Sequence, residues 1–224
     1  MSMAEVRTWC ENLLKLTEED WCRYALEKEP LREKVKDCYF PYYCDAVCCG
    51  KQQAALMQRD NAGKNVWELT KKLGVKLSVK EFGSAGSAVM FACYYEPDRI
   101  ELYSDNAART QMLIKELALE DLLGDFSVEE MLLAHELYHV LAYQKPELYT
   151  SQKHITLWKL GRFCYRARLA SLEEAAAMSF AKELMQLKIS PYIMDVLMLY
   201  PHSPELAEKL YQKLMRILQE NKEV

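Results

Sequence analysis

The chain has 224 residues, half of them hydrophobic and 28% charged, a balance that suits a globular protein with room for one large domain. A formal net charge of −4 gives no global pull toward nucleic acid. No stretch approaches the roughly 20 apolar residues that span a bilayer, and Glu5, Arg7, Glu11 and Lys15 interrupt the N-terminus, so a cytoplasmic protein with no membrane span is expected.

Residues 1–62 are expected to form an N-terminal helical extension of short helices. Thr17 with Asp20 makes a capping start, and Pro30 and Pro41 interrupt the helical pattern. Without an export signal the eight cysteines are expected to be reduced thiols. Four of them crowd together as Cys38, Cys44, Cys48 and Cys49. Their spacing fits no zinc or iron–sulfur pattern, and it leaves a second metal site or redox pair open beside simple apolar packing.

Residues 63–224 are expected to form the main domain. Asn65 and Glu68 open a helix as a capping box, and Gly74 stops it. Val75, Leu77 and Val79 alternate with polar residues as a half-buried strand, and 83–87 is a loop. Strands at 88–95 and 99–103 join through Glu96-Pro97-Asp98 as a hairpin. A helix over 105–123 ends at Gly124. Capping boxes at Ser127–Glu130 and Ser171–Glu174 open two more helices, and Pro191 and Pro204 begin the last two. The predicted class is α+β: a small, mainly antiparallel sheet with surrounding helices.

One motif carries chemistry. His135-Glu136-Leu137-Tyr138-His139 sits in the otherwise apolar run 131–142. Residues four apart share a helix face, so two imidazole nitrogens can bind one zinc ion with Glu136 beside the metal's open position. An ionised carboxylate and two histidines on a buried helix are costly without a cation. The competing explanation is a pair of core histidines bonded to backbone carbonyls. A catalytic zinc ion usually takes three protein ligands. The candidates for the third are His154, His202, Glu173 and Glu174. Glu174 is also the fourth residue of Ser171-x-x-Glu174, so its spacing fits helix capping as well as ligation.

Tyr149, His154 and Tyr165 are candidate donors to an oxyanion, whereas Tyr138 lies off the ligand face. The segment 143–171 carries Lys145, Lys153, Lys159, Arg162, Arg166 and Arg168 against Glu147 alone. It is expected to be a solvated helix face, with an acidic-substrate or nucleic-acid surface as the alternative. The Met and Leu stripe from Met194 to Leu218 is expected to be core.

The first motif followed by Glu174-Ala-Ala-Ala177-Met-Ser-Phe180-Ala181 resembles the paired motifs of the ImmA/IrrE family of metallopeptidases. The second family motif reads roughly Glu-x-x-Ala-Asn-x-Phe-Ala. The resemblance covers about residues 65–187. It implies a zincin-like fold, Zn²⁺ held by His135, His139 and Glu174, and Glu136 as general base. It also implies a regulatory endopeptidase whose substrate is a protein such as a transcriptional repressor. Met178 stands where the family has Asn, no proline follows Leu184-Met185-Gln186-Leu187, and the stretch between the motifs is long. These departures keep open an alternative: a non-catalytic zincin-like regulator that binds a protein or DNA partner.

Overall fold

The structure is a computed structural model that describes residues 3–81, 84–85 and 88–219. It begins with α1 (Met3–Leu13), α2 (Glu18–Glu27), α3 (Arg32–Val35), α4 (Tyr39–Asp60) and α5 (Val66–Lys72). Thr17 and Asp20 form the expected reciprocal cap, with bonds of 2.9 and 3.3 Å. Pro30 separates α2 from α3. Pro41 does not interrupt anything. It is the third residue of α4, where an N–H would have no intrahelical partner, and α4 runs for 22 residues. Asn65 and Glu68 cap α5 reciprocally at 2.9 and 3.0 Å. Gly74 leaves that helix at φ 73°, a conformation glycine adopts without strain.

Next come β1 (Lys76–Lys80), β2 (Ser84–Ala85), β3 (Ala88–Val89), β4 (Ala92–Tyr95) and β5 (Arg99–Tyr103). Of the loop expected at 83–87, Ser84 and Ala85 pair antiparallel with β3, while 83, 86 and 87 lie outside the described residues. The main sheet has the order β1-β5-β4. β4 and β5 form the expected antiparallel hairpin, but β1 runs parallel to β5, so this sheet is mixed. β5 is the central strand and buries Ile100, Glu101, Leu102 and Tyr103 on both its faces. β1 lies at an edge, which leaves Val79 54% exposed instead of inward as its alternation suggested.

The helix expected over 105–123 is two helices, α6 (Ser104–Glu116) and α7 (Glu120–Leu123), broken where Ala118 takes φ 48°. α8 (Val128–Gln144) follows Ser127, whose Oγ accepts the Glu130 N–H at 3.2 Å. The basic segment after it is not a helix face. It contains α9 (Tyr149–Gln152) and a hairpin of β6 (His154–Leu160) and β7 (Phe163–Arg168), turning at Gly161 with φ 57°. Ile155, Thr156, Trp158, Phe163 and Tyr165 are residue types that favour strands. α10 (Ala170–Leu184), a 3₁₀ turn at Pro191–Ile193, α11 (Met194–Leu199) and α12 (Pro204–Gln219) complete the chain.

α10 is the centre of the packing, with α4 on one side and α8 on another. At Gly50 of α4 an added Cβ would lie 2.2 Å from the Ala176 carbonyl oxygen, so the backbones of α4 and α10 touch. One hydrophobic cluster joins Val6 and Trp9 of α1 to Tyr211 and Leu214 of α12, and the helices before residue 62 share it with the rest. The Met194 stripe contributes Met194, Val196 and Leu197 to this core. The result is a mixed α+β architecture. Among the described residues, no helix is long and apolar enough to cross a membrane.

Candidate metal centre

α8 buries residues around its whole circumference, including Leu133, Ala134, Leu137 and Leu141. His135, Glu136 and His139 are the polar interruption on the side that faces a cavity. The His135 and His139 Nε2 atoms are 3.3 Å apart. Glu174 reaches them from α10, with Oε2 3.3 Å from His135 Nε2 and Oε1 3.5 Å from His139 Nε2. A tetrahedral ion with bonds of about 2.0–2.1 Å has ligand–ligand edges of about 3.3–3.4 Å, so the nitrogen–nitrogen spacing and the approach of one carboxylate oxygen to each imidazole are of the size that a shared ion needs, and one donor atom from each of the three residues lies within 4.8 Å of the others. Among the described residues, this is the group of His, Cys, Asp or Glu side chains close enough to share an ion.

Glu174 is available because it does not cap its helix. α10 starts at Ala170, after Leu169, and Ser171 already lies inside it. The capping acceptor is Glu29, just beyond α2 and 3% exposed. Its Oε2 accepts the Ser171 N–H at 3.1 Å and the Ser171 hydroxyl at 2.7 Å, and the Tyr39 hydroxyl donates to Ser171 Oγ at 2.6 Å. The expected Ser171–Glu174 box is therefore replaced by a carboxylate from far away in the chain.

Glu173 has a different task. Its Oε1 lies 2.8 Å from His139 Nδ1, which fixes that ring with Nε2 turned toward His135 and Glu174. Burial pushes the His139 imidazole down. The hydrogen bond from Glu173 and the charges of Glu174 and Glu136 outweigh that and raise it to about 9. Burial pushes Glu174 up. The hydrogen bond and charge of His135, with the charge of His139, outweigh this and hold it down at about 2. Half of the Glu174 side chain remains open to the cavity.

The cavity has a volume of about 750 Å³. β4 gives one wall through Ala92, Cys93 and Tyr94, and the hairpin gives another through His154 and Arg168. Glu136 is 8% exposed and lines the space beside both histidines. A smaller cavity of about 260 Å³ shares His135, Glu136 and Glu174, and its wall includes Met178.

The other predicted residues are dispersed. His154 reaches the cavity, with Nδ1 2.8 Å from the Gln152 carbonyl. Tyr149 is directed toward Asp45 and Tyr42 of α4, and Tyr165 stacks on Trp158 along the exposed hairpin; neither lines the cavity. His202 packs edge-on against Phe91. Tyr138 is fully buried, its hydroxyl 2.9 Å from Thr150 Oγ1 and 3.5 Å from Cys49 Sγ. The eight cysteines are free thiols. Cys49 is buried while Cys38, Cys44 and Cys48 are exposed along α4, so the four do not converge. Glu173 as a partner of His139, and Arg168 as a cavity residue, are roles that motif spacing did not indicate. Their signals were adjacency to a ligand and membership in a basic segment.

No family model, curated protein or solved structure matches the chain.

Proposed function

We propose that the chain is a zinc-dependent endopeptidase, zincin-like and of the ImmA/IrrE kind, that cleaves a regulatory protein such as a transcriptional repressor in the cytoplasm. The observation that carries this proposal is the triangle of His135, His139 and Glu174 donor atoms with Glu136 beside it in an open cavity. Two imidazoles and one carboxylate are a donor set that suits Zn²⁺. A bound zinc ion supplies Lewis acidity, polarising a carbonyl and lowering the pKa of water toward about 7.

The remaining steps belong to the protein. Glu136 takes the proton of the attacking water and delivers it to the leaving amine. Glu173 keeps the His139 ring in register. β4 is an edge strand whose residues line the cavity, so an extended substrate can pair with it and pass its backbone over Glu136. His154 and Arg168 are donors within the same cavity that can meet negative charge developing on a carbonyl oxygen.

Glu136→Gln preserves shape and ligands but cannot accept the proton. On a protein extract, with new N-termini counted by mass spectrometry, the variant is expected to retain zinc and lose about a hundredfold or more in cleavage. Undiminished cleavage at equal zinc content would remove Glu136 from the mechanism. Met178, an apolar side chain beside the ligand set, favours a second reading, a regulator that binds its partner without cutting it. That reading requires regulation of the partner to survive Glu136→Gln.

A further inference from the structure

The hairpin formed by β6 and β7 has two chemically different faces. Cross-strand partners share a face, so the register assigns the pairs His154/Arg168, Thr156/Arg166 and Lys159/Cys164 to one side. Ile155/Ala167, Trp158/Tyr165 and Leu160/Phe163 fall on the other. The first pair of the cationic side, His154 and Arg168, lines the metal cavity. The cationic face is thus continuous with the site. Lys159, Arg166 and Arg168 of this face are exposed, and among the described residues no carboxylate lies within ion-pair distance of any of them, whereas Arg162, in the turn, lies over the Phe163 ring of the other face. No Asp or Glu occurs between Glu147 and Glu173, in a chain whose net charge is −4. The six residues of β7, at about 3.3 Å each, carry this strip about 20 Å away from the cavity.

We propose that this face is a substrate track for a polypeptide segment rich in Asp and Glu that flanks the scissile bond on one side. The charge pattern defines where the acidic residues must lie. Glu96, Glu136, Glu173 and Glu174 line the cavity and disfavour carboxylates at the site of cleavage. The strip beyond Arg168 attracts them. A polypeptide can be neutral at the cut and acidic several residues away. A nucleic acid strand carries phosphate at every step and would force some of it into the acidic cavity. Its bases would also need the aromatic stack of Trp158 and Tyr165, 6.0 Å between centroids, which lies on the opposite face from the cations.

The cleavage half of this proposal rests on the peptidase reading, whereas the binding half does not. The binding probe is a fluorescein-labelled peptide with a neutral half followed by a Glu-rich half, compared with its Gln-rich counterpart and with oligothymidylate, on the zinc-loaded full-length Glu136→Gln protein. The Glu-rich peptide is expected to bind about tenfold or more tightly than the Gln-rich one, with a gap that narrows as salt is raised. Lys159→Glu with Arg166→Glu is expected to abolish that gap at unchanged zinc content. Equal affinity for the two peptides, persistence of the gap in the double variant, or tighter binding of oligothymidylate would overturn the track. In parallel, cleavage sites are mapped for the wild-type protein in an extract. Cleavage without acidic enrichment on one side of the bond ends the track and leaves the peptidase standing. Preferential binding of the Glu-rich peptide with no cleavage anywhere keeps the track and ends the peptidase.

Discussion

Glu173 and Glu174 are neighbours on one turn of α10, yet they do different things to the same histidine. Glu174 approaches His139 Nε2 and Glu173 holds Nδ1. Removing the latter leaves all three ligands in place but frees a ring. Glu173→Ala is therefore expected to weaken zinc binding by about 10–100-fold, read by competition with a chromophoric chelator, without changing the stoichiometry. Affinity unchanged within error would mean that the hydrogen bond has no positioning role. The raised His139 value gives a second expectation. With a folded pKa of about 9, the free site carries a proton at neutral pH that ligation must expel. Zinc affinity should rise by about tenfold per pH unit until about pH 9, and calorimetry in buffers of different ionisation enthalpy should register the released proton. The two histidines and the acid between them were legible from their spacing. The second motif pointed to Glu174 over Glu173 as the third donor, but the bond between Glu173 and His139 was not legible, because it depends on how α10 is rotated against α8.

That rotation is set by whole elements. α10 touches α4 backbone to backbone at Gly50, and its first turn is held by Glu29. Gly50→Ala would drive a methyl group into the Ala176 carbonyl, with no flexible side chain to move aside. It is expected to cost about 1–3 kcal/mol in thermal or denaturant unfolding, and to weaken zinc binding because Ala176 is two residues from Glu174. Glu29→Ala would leave the Ser171 N–H and hydroxyl, and the Leu31 N–H, without their acceptor, at a cost of about 1–3 kcal/mol. A melting temperature unchanged by either substitution would refute the packing described for α10. Caps built from near neighbours, such as Thr17 with Asp20 and Asn65 with Glu68, could be read from the sequence. The cap at Ser171 could not, since its acceptor lies 142 residues away. The hairpin was missed for a related reason. Its alternation is short: β7 has only six residues and an irregularity between Thr156 and Trp158 breaks the pattern of β6, so the basic residues read as a solvated helix face.

Across the molecule, one core ties the first helix to the last, and α8 and α10, which carry the His135, His139 and Glu174 cluster, pack within it. The mixed α+β class followed from periodicity and turn residues. The parallel pairing of β1 with β5 is a long-range choice that local patterns do not encode. Whether His135, His139 and Glu174 hold a metal is tested by zinc analysis of the purified protein. The wild-type chain is expected to carry about one equivalent of zinc, and His135→Ala or Glu174→Ala to retain less than about a tenth of it under the same dialysis. A wild-type protein that takes up no zinc, or variants that hold it as firmly as the wild type, would contradict the assignment.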